Sequence, residues 1–188
     1  MYKDLTQPVK SSFLSCEKDI NLILQKIFYT SKSNGMNLKK LLMINTKDCL
    51  DNTEYDQEVI DVTPLDLKEQ GYIRLSPRLE IEEDGDIKNY ILINMDQFQT
   101  NSNNPQFRDC TITFHIICHS EHWDVGDYRQ RPLKIAGCID AILNNAKLTG
   151  IGELNFINCS LLVLSSELSG YSLMYKAIHG SDDRIENE

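Results

Sequence analysis

Apolar side chains first recur at helical spacing in Ile20, Ile23, Leu24, Ile27 and Phe28, which predicts an amphipathic helix. Ser15 is placed to cap it, Glu17 and Asp19 suit the positive end of its macrodipole, and it is expected to stop by Asn34-Gly35. Residues 38–45 (LKKLLMIN) fit a short helix or a strand equally well, because their length does not arbitrate. Residues 47–70 show little periodicity, and Pro64 reads as a break, so this region is expected to be a long connection with one short element. After Gly71 the period shortens. Residues 72–75 and 79–82 are short strand candidates, Asp84-Gly85 is a hairpin signal, and residues 89–95 are rich in β-forming side chains.

Residues 96–106 (DQFQTNSNNPQ) are polar and turn-rich, and are expected to form a long loop. In residues 109–119 strict alternation returns. Ile112, Phe114, Ile116 and Cys118 fall on one face of a strand, and Thr111, Thr113, His115, Ile117 and His119 on the other, more exposed one. Pro132 opens a second amphipathic helix with Ile135, Ala136, Ile139, Ile142, Leu143 and Ala146 as its stripe, ending by Asn144-Asn145 and Gly150. Two further strands, about 153–165 and 170–178, are joined by the short loop 166–169. On the last of them Tyr171, Leu173, Tyr175 and Ala177 share a face. The pattern predicts an α+β fold: a mainly antiparallel sheet of about five or six strands packed against two main helices in a single domain. Residues 1–14 read as an N-terminal arm, 15–179 as the domain with an acidic insertion at about 47–70, and 180–188 as a polar, frayed tail.

Length and composition fit this picture. A chain of 188 residues with 41% hydrophobic and 25% charged side chains is long enough to bury a core without staples. Its six cysteines form no CxxC pair, no signal-peptide pattern opens the chain, and no apolar run approaches a membrane span, so free thiols and a soluble protein are expected. Cys118, Cys138 and Cys159 stand among apolar neighbours and read as core residues. The formal charge is -9, which argues against a domain gripping nucleic acid through phosphates. Eight acidic residues face only Lys47 and Lys68 across 47–70, and EIEEDGD (80–86) adds a second acidic run; such surfaces let DNA slide past instead of holding it.

One stretch has the density of a metal site: FHIICHSEHW (114–123) holds His115, Cys118, His119, Glu121 and His122. On a strand, His115 and His119 share a face but stand roughly 13 Å apart, too far to share an ion held at about 2.0–2.3 Å. Cys118 points the other way. His119, Glu121 and His122 remain near the strand end, without a third firm ligand in view, so no metal and no cofactor is expected. GxSxG, P-loop and GxGxxG patterns are absent, and Asp84-Gly85-Asp86 lacks the other ligands of an EF-hand loop. No catalytic residue is assigned.

From Tyr90 to Ile178 the order of segments is YILINMDQF, a polar loop, CTITFHIICH, the turn HWDVGDYRQR, the helix PLKIAGCIDAIL, then GIGELNF and a last strand GYSLMYKAI. This order resembles the tail-terminator and head-to-tail joining proteins of tailed bacteriophages. The resemblance covers about half the chain and rests on an arrangement of elements, with few obligatory side chains; the first seventy residues do not match it. It implies a non-enzymatic virion protein, made in the host cytoplasm, whose copies, six or twelve, close into a ring at the neck or the tail terminus. Such a ring seals the joint with portal, adaptor or tail-tube neighbours and lets genome DNA pass through its lumen without specific binding or membrane contact. Candidate contact residues are Phe13 and Leu14 of the arm, Phe98, Asn103 and Phe107 around the polar loop, and Trp123, Tyr128, Arg129 and Arg131 of the turn, of types enriched at interfaces. Plain alternatives are packing of Trp123 on the sheet end and solvation of Arg129 and Arg131, or their pairing with Asp124 and Asp127. Two other functions fit the residues: a small metal-dependent hydrolase using His119, Glu121 and His122, and a monomeric protein-binding adaptor.

Overall fold

The structure, a computed structural model, describes residues 13, 16–29, 33–76, 88–103, 107–148 and 151–180. The expected strand at 79–82, the Asp84-Gly85 hairpin, most of the arm with Leu14 and the Ser15 cap, and the tail beyond 180 lie outside the described residues.

Helix α1 (Cys16–Phe28) buries Ile23, Leu24, Ile27 and Phe28 on one face, as the i, i+3, i+4 spacing requires. It stops at Phe28, and Asn34-Gly35 fall inside a second helix, α2 (Ser33–Met43), which settles the ambiguous LKKLLM as helical. The sequence was ambiguous because α2 is buried on nearly every side: Leu38, Leu41 and Leu42 meet the core, and Lys39 and Lys40 are buried as well.

Two short helices, α3 (Tyr55–Val59) and α4 (Pro64–Glu69), follow in the acidic insertion, where one element was expected. Pro64 begins a helix instead of breaking the chain. Thr63 accepts a hydrogen bond from Asp66 N at 3.2 Å while its own N donates to Asp66 Oδ2 at 2.8 Å, a reciprocal cap with proline where no amide is needed.

The sheet has the order β1-β2-β3-β9-β8, comprising β1 (Ile73–Arg74), β2 (Tyr90–Thr100), β3 (Phe107–His119), β8 (Asn155–Val163) and β9 (Leu168–Gly180). β1 pairs with β2 in parallel and every other pairing is antiparallel, so the α+β reading holds. β2 runs five residues into the stretch expected to be loop; a bulge between Asp96 and Gln99, with Gln97 at φ 52°, carries it through the polar sequence. Between β3 and β8 lie a hairpin of β4 (Asp124–Val125) and β5 (Arg129–Gln130), helix α5 (Arg131–Leu143), and a second small hairpin of β6 (Lys147–Leu148) and β7 (Gly152–Glu153).

Ile91, Ile93, Ile112, Phe114, Ile116 and Leu173 form the buried inner sheet face, against which α1, α2 and α5 supply much of the rest of the core. Tyr175 also lies there, donating its hydroxyl to Asp140 Oδ1 at 2.7 Å; burial first, then that carboxylate, pushes the phenol well above its usual pKa. On the other face of β3, Thr111, Thr113 and Ile117 are buried too, contrary to the expected exposure, because β3 is the central strand and these residues stand between β2 and β9. At the start of β9 a side chain is impossible: a Cβ on Gly170 would lie 1.8 Å from Ile116 O.

Candidate assembly surface

The turn after β3 is built around Arg131, at the first position of α5. Its guanidinium is fully buried and donates to His122 O at 2.6 Å, Leu41 O at 2.8 Å, Ile44 O at 2.8 Å and Thr46 O at 3.0 Å. Three of those carbonyls close the C-terminal end of α2, where a helix leaves acceptors without partners and its dipole is negative. Arg131 therefore ties α2, the turn and α5 together and has no surface to offer a partner. The expectation that it contacts a neighbour or solvent, or pairs with Asp124 or Asp127, is corrected: a planar five-donor group suits a cluster of inward-pointing carbonyls. Trp123 beside it is half-buried against the core, and its carbonyl accepts from Arg131 N at 2.7 Å.

The β4–β5 hairpin projects from this anchor. Gly126, at φ 67°, turns the chain and donates its N–H to Lys47 O at 2.8 Å. Arg129 reaches Asp51, 3.0 Å from Oδ1, and not Asp124 or Asp127. Tyr128, between them, is 99% exposed, an aromatic ring held into solvent on a hairpin pinned at both flanks.

At the far end of the sheet Phe13 meets the half-buried Phe98 edge-on, with ring centroids 4.9 Å apart. Phe107 begins β3 partly exposed, and Asn103 lies exposed, its N donating to Asn101 Oδ1 at 2.9 Å. Asn101 in turn donates to Asp109 Oδ1 at 2.6 Å, and Lys176 lies 3.1 Å from Asp109 Oδ2; these partners hold the Asp109 carboxyl below its ordinary range. The candidate residues thus divide between two places: Phe13, Phe98, Asn103 and Phe107 at one end of the sheet, and Tyr128 and Arg129 at the hairpin.

The histidines do not converge on one point. β3 is extended through residues 115–119. His119 Nδ1 accepts from Glu121 N at 3.2 Å, and its Nε2 stands 3.9 Å from Glu167 Oε2. The His119 and His122 rings are 6.0 Å apart, and His122 Nδ1 is buried without a hydrogen-bond partner among the described residues. Burial, then the Arg131 charge, then His119 hold the His122 pKa below its ordinary value. Among the described residues no three His, Cys, Asp or Glu side chains are grouped to hold a metal ion. Cys118 and Cys138 are buried, and burial pushes both thiols up, to about 12 and about 11; thiols so placed are poor nucleophiles. Cys159, expected in the core, is exposed on β8.

Two lysines that hold the insertion and one apolar strip escaped sequence reasoning. Lys39 donates to Val59 O at 3.2 Å and Ile60 O at 3.3 Å; burial lowers its pKa, opposed by Asp61 and Asp66. Lys40 donates to Asn52 O at 3.1 Å and pairs with Asp56. With Arg129 on Asp51, these side chains fasten the acidic insertion to α2 and the hairpin. The strip is β8, exposed along almost its whole length although it carries Phe156, Ile157, Leu161 and Val163. That it is a strand was legible; its place at the edge of the sheet was not.

The molecule is thus an α+β scaffold whose candidates for function lie on its surface. A model of the YomW family matches residues 36–177, well over half of the chain, and the protein belongs to that family. No curated protein matches it. A chain from a solved particle described as "Virion of native gene transfer agent (GTA) particle" is similar over 66% of this chain and 90% of its own, at 11% identity and a TM-score of 0.42, a likeness too loose to carry an inference. Among the described residues no helix is long and apolar enough to cross a membrane.

Proposed function

We propose that this protein is a structural, non-catalytic component of a phage virion, forming a ring at the head-tail junction or the tail terminus. The observation that carries the reading is β8: among the described residues nothing covers this uncharged, largely apolar edge strand, and such an edge calls for a protein neighbour. Membership of a phage-associated family supports the virion setting. The exposed Tyr128 and the end of the sheet around Phe98 and Phe107 supply further contacts to ring neighbours and to the assemblies above and below. Acidic side chains facing the lumen would keep the passage free of tight phosphate binding.

Deleting the gene from an inducible phage tests this. The expected result is separate heads and tails, or tails of irregular length, with complementation restoring infectious particles. Normal particles and normal titre from the deletion would refute it.

A further inference from the structure

One backbone edge of β8 is paired with β9, and the other has no strand partner among the described residues. Register places Phe156, Cys159, Leu161 and Val163 on the helix-bearing face, opposite Tyr175, Leu173, Tyr171 and Ser169. Helix α5 packs on β3 and β9, and Leu161 and Val163 remain 61% and 66% exposed. Edge strands are ordinarily guarded by charges, prolines or bulges. In β8 there is no charge and no proline in a chain of net charge -9, and the bulge is confined to the start, between Phe156 and Asn158.

The opposite edge of the sheet has the features β8 lacks. β1 covers only Ile91 and Leu92 of β2, and beyond Leu92 no strand pairs with the outer edge of β2 among the described residues. α4 packs on β1 and presents Leu65, 60% exposed, with Leu75 partly exposed just after β1. Lys68, Arg74 and Lys88 belong to this edge, whereas Glu153 and Glu167 flank the two ends of β8. Strand direction also matches. β2, β3, β9 and β8 alternate, so β8 runs antiparallel to β2, and a copy rotated about an axis along the strands would continue the alternation. Two copies paired β8 to β8 would instead set Glu153 of each beside Glu167 of the other, like against like.

We propose that β8 receives the β1–β2 edge of a second copy of this chain, head to tail, so that the sheet runs on from subunit to subunit and the neighbour's Leu65 and Leu75 cover Leu161 and Val163. This deepens the ring reading and rests on it only for closure, since head-to-tail contacts close when the rotation per copy fits a whole turn.

The test uses the full chain in light scattering and sedimentation, with Leu161→Lys and Leu65→Lys, both at exposed positions, and circular dichroism to show that each variant folds. The wild type should associate as concentration rises, and each variant should associate at least about tenfold more weakly, as loss of a central apolar contact implies. An equimolar mixture should form one-to-one dimers and nothing larger, because each variant keeps the edge the other has lost. A wild type that stays monomeric at every concentration overturns the proposal. So does a Leu65→Lys protein that associates normally, which would point to β8 pairing with itself. Absence from virions with this association intact would count against the ring reading alone.

Discussion

Arg131 gathers four backbone carbonyls from two segments that are distant in sequence, and its loss would leave buried acceptors with neither protein nor water. Arg131→Ala should lower stability by at least about 3 kcal/mol, given that bonds to a charged donor contribute about 1.5–3 kcal/mol each. Arg131→Lys should recover little of this, since an ammonium cannot span the cluster; urea denaturation of the three proteins measures both. His122 titrates in the opposite sense to a salt-bridged histidine. Its folded pKa lies below its unfolded value, so its contribution is intact above about pH 6.5 and is lost as pH falls through the folded pKa. His115, also lowered, with burial the first cause, adds to the same trend. Unfolding free energy should therefore fall between neutral pH and pH 5, and His122→Gln should flatten that fall. Sequence alone gave the extended spacing that separates the histidines, because alternation is a local signal. It could not give Arg131, which sits in a polar run, HWDVGDYRQR, and is buried only because the end of α2 arrives there from ninety residues away.

At the scale of elements, α1, α5, β3 and β9 were readable from period and β2 from its β-forming side chains, while α2 stayed ambiguous and boundaries moved wherever a tertiary partner intervened. α4 forms because Thr63 and Asp66 cap each other around Pro64, a pattern visible in TPLD once the capping role of aspartate is granted. The acidic insertion folds against Lys39 and Lys40, whose burial in α2 no periodicity could reveal. Lys40→Met should loosen it, with faster amide exchange and proteolysis across 47–70 and little change in β3. Gly170 has a different constraint, the carbonyl of Ile116 where a Cβ would be. Gly170→Ala should cost at least about 2 kcal/mol, toward the upper end of overpacking effects, because the atom in the way is backbone; a thermal melt reads it.

At the scale of the whole molecule, the fold provides a closed core, one apolar edge and an acidic exterior. Such a distribution suits a subunit that meets other proteins along defined edges and meets nucleic acid weakly. The sequence announced the charge and the class of fold, but exposure depends on which strand ends the sheet, and strand order is a long-range property. The claim on which the functional reading depends is that this chain is a fixed part of the virion. Purified particles labelled with gold-conjugated antibody against the protein and viewed by negative-stain microscopy test it directly. Label at a single site per particle, at the neck or at the tail end, is the expected result; particles without label, beside unattached protein in the lysate, would contradict it.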